Sequence, residues 1–119
     1  MNNNKILIID IETTGFSAAK DGIVEVGIVE LNLNDGSIKI IYDKLFNPMV
    51  KFKDLKKCWI IKNKYVDLRD VIIADQIEAE IDSIQKIIDR YPLGLTAFNN
   101  KFDFTNDFIN SNYATTNSS

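Results

Sequence analysis

The stretch KILIIDIETTGF, residues 5–16, contains the features that decide the fold and the candidate site. Its first part, KILIIDI, is a nearly continuous apolar run of strand length, a pattern typical of a central strand that is buried on both faces. Asp10 and Glu12 stand two residues apart at the end of this run, and a strand directs alternate side chains to the same face. The stretch therefore predicts a mid-sheet strand that ends in a pair of carboxylates on one face.

The composition is that of one compact globular domain. The chain has 119 residues, of which 45% are apolar and 26% charged, and both fractions are ordinary for a folded protein. The net charge of −3 excludes a general basic surface of the kind that binds duplex nucleic acid through many phosphates. A nucleic-acid substrate would have to be held locally, by a metal ion or a basic patch.

The sequence contains one cysteine and no histidine. Cys58 cannot form an internal disulfide, which suits a reducing compartment. No apolar stretch approaches the roughly 20 residues that cross a bilayer, and the start MNNNK does not resemble a signal peptide. We therefore expect a soluble, cytoplasmic protein without a membrane partner, and any mechanism with histidine as general base is excluded.

Two further strands are expected after the first. The segment GIVEVGIVELNLNDGSIKIIYDKLF, residues 22–46, is rich in Ile and Val, and Asp35-Gly36 within it is a strong hairpin signal. Apolar residues alternate with Glu25 and Gly27, as in a half-exposed strand. The first half of the chain is thus predicted to be an antiparallel meander of three strands.

The second half predicts two helices and a short strand. Isoleucines and a tyrosine at spacings of three and four indicate an amphipathic helix from Ala74 to Tyr91, which Pro92 and Gly94 would end. GLTAF, residues 94–98, is typical of a short strand, and NNKFDFTNDFI, residues 99–109, of a helix. The final ten residues are almost wholly polar and are expected to form a tail.

A run of lysines with interleaved aromatic residues follows the predicted meander. Met49–Lys64 contains six lysines and one acid, together with Phe52 and Trp59. One interpretation is a solvated loop and short helix with an aromatic anchor. The other is a basic patch on the substrate side, since lysines and aromatic rings are the residue types that hold nucleic acid.

The chemistry of the Asp10–Glu12 pair allows two interpretations. Paired carboxylate oxygens are ligands that suit Mg²⁺ or Mn²⁺, and Gly15 in the following Thr13-Thr14-Gly15 turn permits close approach of a backbone or a phosphate. Alternatively, the pair is only the polar end of a strand.

Two motifs resemble those of a known family. DIETTGF (10–16) followed by IVEVGIVEL (23–31) resembles the first motif of the DEDD superfamily of 3′-to-5′ exonucleases, which includes the proofreading subunit of bacterial DNA polymerase III and ribonuclease T. TAFNNKFDFTNDF (96–108) resembles the second motif, at about the usual interval. The resemblance implies an exonuclease-like domain over residues 1–110, with a polar tail over 111–119. The implied fold is α/β and ribonuclease H-like, with a 3-2-1 antiparallel meander, GLTAF as a strand parallel to the first, and flanking helices.

The resemblance also implies roles for individual residues. The carboxylates that would hold two divalent metal ions, Mg²⁺ or Mn²⁺, are Asp10, Glu12 and Asp103. Such ions hydrolyse a phosphodiester by positioning hydroxide and steadying the leaving oxygen. The implied substrate is the 3′ end of single-stranded DNA or RNA. The residues expected to contact its terminal nucleotide are Thr13, Thr14, Gly15, Phe16 and Asn99.

The sequence departs from the family at its end. Phe98 stands where many relatives have histidine, and the third motif, with its histidine or tyrosine base and fourth Asp, is missing. NYATTN (112–117) only superficially mimics it. We therefore expect the C-terminal part of the family fold to be absent and activity to be weak or lost. The residues that catalysis needs would be supplied either by a longer protein of which this sequence is a fragment or by another chain. We also expect self-association or marginal stability, because apolar surface beside GLTAF and the final helix would be left uncovered.

Other classes remain as alternatives. A catalytically inactive nucleic-acid-binding or interaction module would have the same fold. IIDIETT (8–14) also resembles the strand end of haloacid-dehalogenase phosphotransferases, but that class needs a second Asp where Glu12 stands, and a helix where the hairpin is predicted. The phosphate loop of sugar kinases requires glycine at the same position.

Overall fold

The computed structural model describes residues 2–15 and 21–97, which form a mixed four-stranded sheet with flanking helices. The strands are β1 (Lys5–Thr13), β2 (Ile23–Asn32), β3 (Ile38–Leu45) and β4 (Leu95–Ala97), in the order β3-β2-β1-β4. β1 pairs antiparallel with β2, β2 pairs antiparallel with β3, and β4 is parallel to β1. The α/β class, the antiparallel meander and the added parallel strand are therefore confirmed.

The connection between β2 and β3 contains the predicted Asp35-Gly36 pair. Gly36 has φ of 75°, a left-handed conformation that glycine adopts without steric cost. Its N–H donates to the carbonyl of Asn32 at 2.8 Å, and the Asp35 side chain accepts from the N–H of Ser37 at 2.9 Å. These bonds close the hairpin and bring the two strands into register.

β1 is central, but only one of its faces is buried. Leu7 and Ile9 are 0% and 1% exposed, whereas Ile8 on the other face is half-buried and Asp10 is exposed. The expectation of burial on both faces is therefore wrong. The physical reason is that β2 and β4 cover the two edges of β1, while within residues 2–15 and 21–97 the helices pack against one face only.

The main core lies between that buried face and the helix α4 (Ile81–Asp89). Ile84 and Ile88, four residues apart on one side of the helix, are 2% and 1% exposed and pack against the sheet. The core residues that join them are Leu7, Ile9, Ile23, Val26, Ile28, Phe46, Tyr91 and Leu95.

The predicted helix from Ala74 to Tyr91 is too long, because α4 begins only at Ile81 after a separate 3₁₀ turn over Ile77–Ala79. The carbonyl of Asp75 accepts the N–H of Asn47 at 2.9 Å, and Gln76 is extended with ψ of 154°. The segment before the turn is therefore held to the end of β3 and is unavailable to a helix.

Three short helices lie between β3 and the 3₁₀ turn: α1 (Phe52–Leu55), α2 (Trp59–Lys62) and α3 (Leu68–Ile72). They bury a second apolar cluster against β2, formed by Val24, Leu55, Cys58, Ile60 and Val71. Across the described ranges, 2–15 and 21–97, no helix is both long and apolar enough to cross a membrane.

Candidate metal and substrate site

Asp10 and Glu12 lie on the face of β1 opposite to the one against which the helices of residues 52–89 pack. They face Gly27 and Glu25 of β2 in an unbroken ladder, and the register shifts only after Glu12. Both side chains therefore project from the same face, as the sequence predicts. Burial raises the pKa of Glu12 above its ordinary value, and the neighbouring charge of Asp10 raises it further.

Two more carboxylates, of Glu25 and Asp43, lie on the same face of the sheet. Together with Asp10 and Glu12 they form what we call the acidic face. Glu25 is the direct cross-strand partner of Glu12, and Asp43 of β3 faces Gly27. Burial raises the pKa of Glu25 to about 7, and the hydrogen bond to Asp43 adds to this, as do the charges of Asp43, Glu12 and Asp10. Burial and these neighbours therefore favour the protonated form of Glu25, whose carboxyl is hydrogen-bonded to Asp43.

Gly27 separates the carboxylates of Asp10 and Asp43 within one row across the sheet. Because it has no side chain, a depression of about 370 Å³ opens between them. Apart from its carboxylates, the depression is lined mainly by apolar side chains. The residues that line it are Ile8, Asp10, Glu25, Gly27, Ile28, Val29, Ile38, Ile40, Tyr42 and Asp43.

The turn after β1 is held by its own side chains and by Asp21. The hydroxyl of Thr14 donates to Asp21 Oδ1 at 2.7 Å and accepts the N–H of Gly22 at 3.1 Å, while the hydroxyl of Thr13 donates to the carbonyl of Gly15. A Cβ on Gly15 would lie 2.5 Å from Asp21 Oδ2. The close approach that Gly15 permits is thus to a carboxylate of this chain.

The chemistry of Asp10 and Glu12 fits a divalent metal ion only in part. Their oxygen atoms are suitable ligands, and their mutual repulsion is what a bound cation would relieve. However, no three acidic, cysteine or histidine side chains within residues 2–15 and 21–97 are arranged to hold a metal. A complete ligand set therefore needs a further group beyond these two.

Five of the eight predicted site residues lie in the described part of the chain. The structure brings Asp10 and Glu12 together on the sheet face and places Thr13, Thr14 and Gly15 at the adjoining end of β1. The other three predicted site residues, Phe16, Asn99 and Asp103, lie outside the described residues.

Sequence reasoning missed Glu25 and Asp43. The alternation in β2 did indicate that Glu25 lies on the same face as Gly27, so part of the signal was present. Its pairing with Glu12 depends on the register of β1 and β2. The position of Asp43 depends in addition on an irregularity between Ile28 and Val29, which no local pattern announces.

The four-stranded mixed sheet with its flanking helices is an α/β fold that this chain shares with two solved nucleases. The chain is similar to a solved structure described as a full-length 3′-exonuclease, with a TM-score of 0.54 and 17% identity over 74% of this chain and 30% of that one. It is also similar to cell-death related nuclease 4, with a TM-score of 0.55 and 14% identity over 81% of this chain and 34% of that one.

This chain therefore spans about a third of the length of those two nucleases. At these identities the likeness shows the fold. No family model matches the sequence, and no curated protein matches it.

Proposed function

We propose that this chain is a 3′-to-5′ exonuclease domain of the DEDD type, which removes nucleotides from the 3′ ends of single-stranded DNA or RNA. The observation that carries the proposal is the placement of Asp10 and Glu12. They lie side by side on the open face of the central strand in a sheet shared with known nucleases. The space above Gly27 gives a substrate phosphate room to approach them.

In this proposal Asp10 and Glu12 hold Mg²⁺ or Mn²⁺, with Asp103 as the third ligand. When bound, such ions activate a water molecule and stabilise the charge that builds on the phosphate. The raised pKa of Glu25 favours its protonated form, which lowers the negative charge beside the ligands. The terminal nucleotide contacts Thr13, Thr14, Gly15, Phe16 and Asn99, and the bond between Thr14 and Asp21 keeps the turn in place.

The proposed turnover of this chain is slow. Its 119 residues include no histidine, so no side chain of the usual type takes the proton from water near neutral pH. The fourth carboxylate of the family's third motif has no counterpart among the residues we assign. The missing groups would then come from a longer form of this chain, from a second copy or from another chain. The single buried thiol, Cys58, agrees with the proposed cytoplasmic location.

The test uses a 5′-labelled single strand with Mn²⁺. We expect a faint ladder that shortens from the 3′ end, is abolished by EDTA, and is lost in Asp10→Ala and Glu12→Ala. Glu78→Gln, an exposed acid outside the acidic face, is the matched control and should cleave like the wild type. Shortening from the 5′ end, or a ladder that persists in Asp10→Ala, would contradict the proposal.

A second candidate is an inactive nucleic-acid-binding module of the same fold. It is favoured by the absence of histidine from the sequence, because the usual base of the family is then missing. Binding of the labelled strand without any cleavage, at every concentration of Mn²⁺, would support this function over the first.

A further inference from the structure

Two exposed aromatic rings stack on each other beside the acidic face. The ring centroids of Trp59 and Tyr65 are 5.2 Å apart and their planes differ by 19°. Despite this contact, Trp59 is 63% exposed and Tyr65 is 71% exposed. The ring faces outside the stack are therefore open to a third planar group.

The backbone between the two rings is arranged to bring them together. Lys64 has φ of 62°, a left-handed conformation that a lysine rarely adopts and that costs free energy. The N–H of Tyr65 then donates to the carbonyl of Ile60 at 3.0 Å. This reversal of the chain folds Tyr65 back over Trp59, so the backbone conformation holds the two exposed rings together.

Six lysines lie in the same stretch of sequence as the stack, on a chain that is acidic overall. All six lysines of Met49–Lys64 are exposed, and in the described chain none of them forms an ion pair with a carboxylate. Nζ of Lys56 lies 5.6 Å from the ring centroid of Phe52, which is itself 56% exposed. We call this area the aromatic–lysine surface; it consists of Phe52, Trp59, Tyr65, Lys51, Lys53, Lys56, Lys57, Lys62 and Lys64.

The aromatic–lysine surface adjoins the candidate site. The thiol of Cys58, the residue before Trp59, donates to the carbonyl of Thr13 at 3.4 Å. Tyr65 lines a second depression, of about 330 Å³, together with the carboxylates of Glu25, Asp43, Asp67 and Asp70. The stack therefore lies next to the acidic face, while these carboxylates disfavour a phosphate within the depression itself.

We propose that the aromatic–lysine surface binds single-stranded nucleic acid, with a base stacked on the Trp59–Tyr65 pair and phosphates held by the lysines of this surface. The inference rests on the proposed function, because it assigns to this surface the part of the strand next to the 3′ end. Aromatic rings accept any base, which suits an enzyme without sequence preference. Bases of a duplex are already stacked on each other, so exposed rings favour a single strand.

Trp59 is the only tryptophan of the chain and is therefore a direct probe of binding. Its fluorescence is measured in EDTA, so that no strand is cleaved, during titration with oligothymidylate, oligouridylate, a duplex and poly-glutamate. We expect saturable quenching by both single strands and much weaker effects of the duplex and poly-glutamate. Preference for the duplex overturns the proposal, and so does the absence of binding. Preference for poly-glutamate also overturns it and would indicate an acidic protein partner.

Variants test the two parts of the surface by anisotropy of a labelled oligonucleotide. Tyr65→Ala and Trp59→Ala should each bind about tenfold more weakly, since each removes a ring from the stack, while Trp59→Phe should retain most of the affinity. Lys56→Gln with Lys57→Gln should reduce the slope of log affinity against log salt by about 1.4. The matched controls are Leu93→Ala and Lys86→Gln, which are exposed residues outside this surface. Equal affinity of the aromatic variants and the wild type would overturn the inference.

The same panel separates failure of this inference from failure of the proposed function. Asp10→Ala in EDTA should bind no more weakly than the wild type, because a carboxylate near the phosphates has been removed. Binding with the expected pattern of variants, but without cleavage in Mn²⁺, would refute the exonuclease and leave the surface supported. If the aromatic variants cleave in Mn²⁺ as fast as the wild type, the exonuclease would be supported and the inference about the surface would be refuted. Circular dichroism and thermal melting of each variant are the controls that test whether its fold is intact.

Discussion

Glu25 of β2 lies directly opposite Glu12 of β1 in the antiparallel ladder, on the face of the sheet opposite to the one that the described helices cover. Two ionised carboxylates in this relation repel each other. The repulsion is reduced because the pKa of Glu25 is raised to about 7, first by burial and then by its hydrogen bond with Asp43. The acidic face can thus form without a cation, while its charge still depends on pH.

The first prediction concerns the pH dependence of stability. The pKa of Glu25 in the folded chain, about 7, lies above the ordinary value of 4.5. The favourable contribution of Glu25 to the free energy of unfolding is therefore complete at pH values below 4.5 and is lost as the pH rises through about 7. In metal-free buffer, Glu25→Gln should melt at a higher temperature than the wild type on the alkaline side of this range, and the difference should shrink under acidic conditions.

Glu78→Gln is the control for this experiment, because Glu78 is exposed on the 3₁₀ turn. It should follow the wild type at every pH. A melting-temperature difference for Glu25→Gln that does not vary with pH would show that the raised pKa is wrong.

The second prediction concerns divalent cations. If Asp10 and Glu12 are ligands, Mn²⁺ binds the folded chain and stabilises it by about 1.4 kcal/mol at ten times the dissociation constant. Differential scanning calorimetry should show the melting temperature rising with Mn²⁺ for the wild type and for Glu78→Gln. Asp10→Asn and Glu12→Gln should lose this response. An unchanged response in both variants would place the metal elsewhere.

The third prediction concerns the turn after β1. In Gly15→Ala the new Cβ would meet Asp21 Oδ2, so the carboxylate must move away from the hydroxyl of Thr14. Losing that hydrogen bond should cost about 1 kcal/mol in the free energy of unfolding. Urea denaturation of Gly15→Ala, Asp21→Ala and the double variant measures this effect. Because the two residues interact, the double variant should be less destabilised than the sum. Strict additivity would contradict the contact.

The fourth prediction concerns the strand at the edge of the sheet. Ile38 and Ile40 of β3 are 64% and 70% exposed, and exposed apolar edge strands promote pairing with other chains. We therefore propose that the chain self-associates through β3. Sedimentation velocity should show association of the wild type with rising concentration, and Ile40→Lys should weaken it. Ile73→Lys, at an 80% exposed position beyond α3, should associate like the wild type. A wild type that stays monomeric at all concentrations would exclude this interface.

The sequence predicted the strands better than the helices. Apolar runs and the Asp35-Gly36 signal are local, and the order of β1, β2 and β3 follows from them because sequential strands tend to pair with each other. The place of β4 beside β1 was implied only by the family resemblance. The helix predicted from Ala74 begins late because Asp75 bonds to Asn47, a contact between residues distant in the sequence. Periodicity alone contains no information about such a contact.

The amino-acid sequence by itself determined that Asp10 and Glu12 share a face, because a spacing of two in a strand is enough. It also supplied the lysines and rings of Met49–Lys64 without deciding their use. Only the tertiary structure placed Glu25 against Glu12 and stacked Trp59 on Tyr65 beside the site. The physical reason is that such contacts depend on strand register and chain reversals, which long-range packing selects. The role of Asp103, outside the described residues, stays a prediction.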